Sequence, residues 1–147
     1  MSFKVRDARE EDFSNGFLES LSRLRPVDDV TPQEAVAAWR KIIKNPLHRL
    51  LVGVIGQQVV AVCTVFLEPK IIHHCGIAGH IEDVATHNDH RGNGYGKHLV
   101  RYAIKWAREQ GAYKVILDCD KDMIPYYASM GFDLYGHAMK YDFSKVH

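Results

Sequence analysis

The stretch Gly79–Gly96, GHIEDVATHNDHRGNGYG, constrains this chain more than any other feature. Its first eight residues read as a strand that carries Glu82 and Asp83, a short polar connection follows, and Arg91-Gly92-Asn93-Gly94-Tyr95-Gly96 opens a helix. Glycines there remove side chains where a pyrophosphate must approach. Successive backbone N–H groups are left at the positive end of the helix. The competing reading is a tight strand-to-helix turn and nothing more.

The elements around this unit follow from periodicity. Phe3–Arg6 alternates as a first strand, and Glu11–Ser22 puts Phe13, Phe17, Leu18 and Leu21 at helical spacing. A proline-containing loop over Leu24–Val30 leads to Thr31-Pro32-Gln33-Glu34, a capping box with proline at the first helical position. The helix it starts carries Val36, Trp39, Ile42 and Ile43 towards Asn45-Pro46. Arg49–Ile55 and Val59–Leu67 form a hairpin across Gly56-Gln57, and a third strand is expected at Gly79–Thr86. Leu99, Val100, Ala103, Ile104 and Ala107 make an apolar helical stripe that stops at Gly111. A buried strand is expected over Tyr113–Cys119, a short helix over Ile124–Met130, and closing strands over Phe132–Tyr141. The order β, αα, βββ, α, β, α, β predicts an α/β fold: a mixed sheet flanked by helices, with a ligand crevice where two strands splay apart.

With 147 residues, one domain is expected over 1–147. The net charge of +1 provides no global field for nucleic acid, and no apolar run is long enough to span a bilayer. Met1–Arg6 lacks an apolar signal core, so a cytoplasmic protein is expected. The last residues, Ser144-Lys145-Val146-His147, lack a terminal Ser-Lys-Leu address but keep its Ser-Lys pair, which leaves a peroxisome-like organelle open. Cys63, Cys75 and Cys119 have no regular spacing and read as reduced thiols, Cys63 and Cys119 within apolar strand patterns. His73-His74-Cys75 with His80 invites a zinc reading. Neighbours on a strand point to opposite faces and converge poorly on one tetrahedral ion, so no metal is expected.

Two other phosphate loops fit badly. The Walker pattern fails because Arg91 stands five residues before Gly96 and His98 follows Lys97. The dinucleotide pattern wants its third glycine one residue later and belongs to a first strand-helix unit, whereas this turn lies past mid-chain. The form that fits is R-x-x-G-x-G. In this motif and in element order the chain resembles the GNAT acetyltransferase superfamily. The resemblance narrows to the glucosamine-6-phosphate N-acetyltransferase family through Lys70-Ile71-Ile72-His73, Gly79-His80-Ile81-Glu82-Asp83-Val84-Ala85, the glycine turn, Tyr113-Lys114-Val115-Ile116-Leu117-Asp118-Cys119-Asp120, and Tyr126-Tyr127 before Gly131-Phe132. It covers roughly the C-terminal half.

What the resemblance implies is a mostly antiparallel acyl-CoA N-acyltransferase fold and direct acetyl transfer from acetyl-CoA to D-glucosamine 6-phosphate in a ternary complex, on the way to UDP-N-acetylglucosamine. Val84, Ala85, Thr86 and Arg91, Gly92, Asn93, Gly94, Tyr95, Gly96, Lys97 would hold the cofactor. Lys70, Ile71, Ile72, His73, Glu82, Asp83, Val84, Tyr113, Lys114 and Asp118 would hold the sugar phosphate. Glu82, Asp83, Asp118 and Tyr127 would serve the chemistry, Tyr127 by protonating the leaving thiolate. Each has a plain rival: Asp83 as a sheet-edge cap, Asp118 as a structural carboxylate, Tyr126 and Tyr127 as core aromatics. The pattern departs at Leu24-Arg25-Pro26-Val27, which lacks a threonine, at Met123 in place of asparagine, and at Asp142 in place of arginine. A homodimer is also implied, with Tyr135–Phe143 as its interface, although a monomeric closing strand has the same pattern. Two other functions compete: acetyl transfer to another small amine or a peptide amine, and acyl-CoA binding without catalysis.

Overall fold

The structure, a computed structural model, describes residues 2–145, so the expectations resting on Met1, Val146 and His147 lie outside the described residues. The chain forms two compact units, one ending at Leu117 and the other beginning at Asp118.

The first unit is built on one five-stranded sheet in the order β1-β2-β3-β4-β5: β1 Phe3–Asp7, β2 His48–Ile55, β3 Gln58–Pro69, β4 Ile77–Thr86 and β5 Ala112–Ile116. The first four strands are antiparallel neighbours and β5 is parallel to β4. The mixed, mostly antiparallel sheet is the expected fold class. β2 and β3 meet at Ile55–Gln58 across the two-residue turn Gly56-Gln57, as the hairpin pattern requires.

Helix α2, Pro32–Ile43, starts where the capping box predicts. Glu34 N donates to Thr31 Oγ1 and Thr31 N to Glu34 Oε1, both at 3.1 Å. The single helix expected over Glu11–Ser22 is instead a 3-10 turn, Glu10–Ser14, followed by helix α1, Phe17–Leu21. Gly16 between them has φ 105°, and a Cβ there would lie 2.3 Å from Val59 O, so β3 presses against the chain at the break. Phe13 and Phe17 still reach the core that the helical spacing assigned them. With Ala35, Leu50, Val52, Val54, Val62 and Ala85 they fill one face of the sheet. Leu51, Ala61 and Cys63 alternate with those strand residues and lie on the other face, where helix α4, Tyr95–Glu109, packs Leu99, Val100, Ala103 and Ala107 with no exposure.

Two further expectations are corrected. β5 ends at Ile116 and is half-buried rather than buried, because it is an edge strand; Asp118 and Cys119 lie beyond it and are exposed. Residues 72–75 are not extended: the one-turn segment α3, Ile72–Cys75, has left-handed dihedrals at His73, His74 and Cys75.

The second unit contains a 3-10 turn at Lys121–Met123 and helix α5, Ile124–Ala128, with Gly131 at φ 99° just beyond its end. Among the described residues no strand lies beyond Ile116, so the closing strands expected over Phe132–Tyr141 are absent from the single chain. That segment and the residues just after it keep apolar side chains but expose them: Leu134, Tyr135, Met139, Tyr141 and, beyond it, Phe143 are 66–95% accessible. A strand needs a hydrogen-bonded partner strand for its backbone groups, and among the described residues this segment belongs to no ladder.

Candidate active site

β4 is bent at the two acidic residues. Its register against β3 runs from Thr64↔Glu82 to Val62↔Ala85, so the single residue Cys63 faces two, Asp83 and Val84. Asp83 takes φ 55°, a left-handed conformation that a short polar side chain tolerates better than most. Such a bulge re-aims side chains and interrupts the ladder. On the other side of β4, pairing with β5 stops at His80↔Ile116, and Ile81–Thr86 runs on past the end of that neighbour. The two strands therefore part where the sequence places its carboxylates. Glu82 and Asp83 are exposed, Val84 and Thr86 half-buried, and Ala85 buried.

The polar connection after β4 is held by its own side chains. His87 N donates to Val60 O at 2.8 Å, and the His87 Nδ1 accepts from Asp89 N at 3.1 Å, capping the 3-10 turn Asn88–His90. Asn93 Nδ2 then donates to His90 O at 3.1 Å. Gly92 and Gly94 have φ 85° and 77°, and a Cβ added at either would meet nothing within 4 Å. Their hydrogens are thus required by the backbone conformation and leave the approach open. Gly94 is the N-cap of the 15-residue helix α4 and supplies no side-chain acceptor to its first turn. An anion fits this terminus on charge and on space. Gly96 is buried in the first turn, and Arg91 is exposed before it. Tyr95 packs against the sheet, its ring stacked on Phe3 with centroids 4.3 Å apart and planes 7° apart.

The remaining residues expected to bind substrate in this unit gather at the opposite end of β4. Lys70 Nζ lies 3.4 Å from Glu68 Oε1, and His73 stacks on Tyr113 with centroids 4.1 Å apart. Lys114 Nζ sits 5.5 Å over the same tyrosine ring. Ile71 and Ile72 are exposed. Lys114 pairs with Ala78, four residues before Glu82, so the two groups are separated by about 13 Å of strand. Lys70–His73, Tyr113 and Lys114 are thus brought together, as are Glu82–Thr86 with Arg91–Lys97, but the two sets are not joined within this unit.

Asp118 and Tyr127 belong to the second unit. Asp118 is exposed. Tyr127 is buried, edge-on to Tyr126 at 5.0 Å and to Phe132 at 5.8 Å. Burial pushes the Tyr126 phenol up from its ordinary value.

A cavity of about 210 Å³ opens between α1, α2 and the sheet, with Asp83 as the charged residue among apolar walls such as Phe13, Phe17 and Leu21. Nearby Cys63 is fully buried, and burial, then Asp83, pushes its thiol up to about 12. It stays protonated at neutral pH and is no nucleophile. Among the described residues no three His, Cys, Asp or Glu side chains converge on a metal position, and no helix is long and apolar enough to cross a membrane. The sequence reading missed Glu68 and Phe66, which flank His80; the only signal for them was alternation on β3.

Strands that part beside a glycine-opened helix terminus belong to the acyl-CoA N-acyltransferase fold. The model of the acetyltransferase (GNAT) family matches residues 5–132, and the chain belongs to that family. It is 33% identical to glucosamine 6-phosphate N-acetyltransferase 1 of Oryza sativa subsp. japonica over 134 residues, 89% of this chain and 81% of the relative. It is 31% identical to glucosamine 6-phosphate N-acetyltransferase of Candida albicans, over 88% of this chain and 89% of the relative. A crystal structure of glucosamine-6-phosphate N-acetyltransferase from Arabidopsis thaliana superposes with a TM-score of 0.91 at 31% identity, covering 97% of this chain and 99% of that one.

Proposed function

We infer that this protein transfers the acetyl group of acetyl-CoA to the amine of D-glucosamine 6-phosphate, giving N-acetyl-D-glucosamine 6-phosphate and CoA. The observation that carries the reading is the bulge at Asp83, which turns Glu82 and Asp83 out of the sheet on the strand that leads into the glycine turn, in a chain akin to enzymes of that name. GNAT acetyltransferases use acetyl-CoA. In this reading the N–H groups of Gly92–Lys97, with Arg91, receive the pyrophosphate, and Val84, Ala85 and Thr86 align the thioester arm.

The chemistry asks three things of the protein. An ammonium cannot attack, so one proton must leave the acceptor first; Glu82 and Asp83, on the same strand as the thioester, are the carboxylates to receive it directly or through water. Negative charge then grows on the thioester oxygen, and the Val84 N–H serves as its donor. Finally the CoA sulfur departs with a proton from Tyr127, whose phenolate takes up the second proton that the nitrogen loses in becoming an amide, so that the overall reaction consumes an ammonium and releases one proton with the thiol. Holding both substrates in line supplies much of the acceleration. Asp118, Lys70, Ile71, Ile72, His73, Tyr113 and Lys114 serve the sugar phosphate.

The whole of residues 1–147 acts as one acetyltransferase domain in this proposal; support comes from the family match, which runs across the boundary at Leu117–Asp118. The protein works as a homodimer in the cytosol, on the route to UDP-N-acetylglucosamine, with the segment around Tyr135–Phe143 completing the partner's site. The exposed aromatic side chains of that segment support this. The test is thiol release from acetyl-CoA with D-glucosamine 6-phosphate beside a panel of polyamines and peptide amines. Turnover is expected with the amino sugar phosphate; turnover confined to the other amines overturns the substrate.

A further inference from the structure

His80 lies two residues before Glu82, and the regular alternation of β4 up to its bulge puts both side chains on one face, about 7 Å apart along the strand. The imidazole is held on two sides. Its ring lies flat on Phe66, its cross-strand partner on β3, with centroids 4.5 Å apart and planes 2° apart. Its Nε2 is 2.9 Å from Glu68 Oε1, and the side chain is only 19% exposed. The His80 hydrogen bond, then that of Lys70, holds the Glu68 carboxyl below its ordinary range, so the carboxylate only accepts. Nε2 must therefore carry the hydrogen, which leaves the lone pair on Nδ1. A carboxylate that fixes the tautomer of an imidazole also stabilises the ring when it takes a proton.

The surroundings favour a working group over a packing one. Across Phe66 stands His48 of β2, whose ring burial pushes down from its ordinary value. From β3 comes Glu68 and, just past its end, Lys70; from β5 the cross-strand partner is Ile116, with Lys114 two residues away; on β4 the next residue of the same face is Glu82. An apolar residue stacked on Phe66 would pack as well, without the cost of removing an imidazole from water.

We propose that His80 is a positioning residue for acetyl transfer, receiving through Glu82 the proton that the acceptor ammonium sheds, with Glu68 holding the ring ready. The inference rests on the reading of Glu82 as a residue that faces the acceptor. Two N–H bonds of the ammonium break: the first proton passes before attack by way of Glu82 to Nδ1 and leaves the imidazolium for solvent after the amide has formed, the second replaces the proton that Tyr127 gives the thiolate, and Glu68 stays a carboxylate throughout.

The deciding experiment is the pH profile of kcat/KM for D-glucosamine 6-phosphate in wild-type protein, Glu68→Gln and His80→Gln. Glu68→Gln keeps a hydrogen-bonding partner for the ring but removes the charge. It is expected to lower kcat about tenfold and to move the acid limb towards lower pH, while KM for acetyl-CoA stays within about twofold. His80→Gln is expected to lower kcat further and to lose that limb. Profiles that are scaled down or unchanged, with the limb in place, overturn the relay. Should His80→Gln lose its cooperative thermal transition, Glu68→Gln decides alone, because Glu68 is half-exposed and its replacement leaves the core intact. Absence of turnover in the wild-type protein is a different failure, that of the substrate reading, and is seen before any variant is made.

Discussion

Asp83 shows how much one residue's backbone can decide. Had it kept an extended conformation, β4 would have continued in register and its neighbours would have alternated between core and solvent; at φ 55° it lets Glu82 and Asp83 both reach water. Its carboxylate was legible in the sequence, but its conformation was not, because a bulge is set by how two strands match along their length. Tyr127 presents the complementary case. Its ring is packed edge-on against Tyr126 and Phe132, so the phenyl part holds the unit together and any chemical role belongs to the hydroxyl. Tyr127→Phe keeps the packing and removes the acid. We expect kcat to fall about tenfold to a hundredfold with KM for acetyl-CoA nearly unchanged, checked by steady-state kinetics; equal turnover across the pH range removes the acid role.

At the level of elements, the parts that satisfy themselves locally are the ones read correctly in advance. α2 begins at Thr31 because two side chains exchange hydrogen bonds with the backbone three residues apart, an arrangement that needs no other segment. The Thr31 backbone N–H, then its hydroxyl, holds the Glu34 carboxyl below its ordinary range. A lowered carboxyl contributes stability above its unfolded value and loses it as the pH falls through the folded one, so the cap weakens below about pH 4. Thr31→Ala is expected to cost about 1 kcal/mol at neutral pH by urea unfolding, and less in acid. The break at Asn15-Gly16 is the contrary example. Helical spacing runs straight through it, and only the approach of Val59 O shows why the chain cannot. The left-handed turn at His73–Cys75 was likewise hidden, since neither histidine nor cysteine announces a positive φ.

For the whole molecule the decisive matter is what covers the C-terminal segment. Tyr135, Met139, Tyr141 and Phe143 fall on the same side of an alternating strand pattern, yet in one chain they and Leu134 face water. If a second copy supplies the pairing, Tyr141→Asp with Phe143→Asp should convert a dimer of about twice 16.8 kDa into a monomer in sedimentation velocity, with acetyl-CoA still bound and turnover lost. A mass that does not change places the interface elsewhere. By itself the sequence determined the glycine-opened helix terminus, the capping box, the β2–β3 hairpin, the apolar stripe of α4 and the acidic pair on β4. Each depends on residues close together in the chain, whose spacing sets their geometry. Only the tertiary structure decided the bulge at Asp83, the parting of β4 from β5, the separation of Lys70–His73 from Glu82, and the Glu68–His80 pair. Those arise where strands distant in sequence come into register, and register is chosen by the packing of the whole sheet.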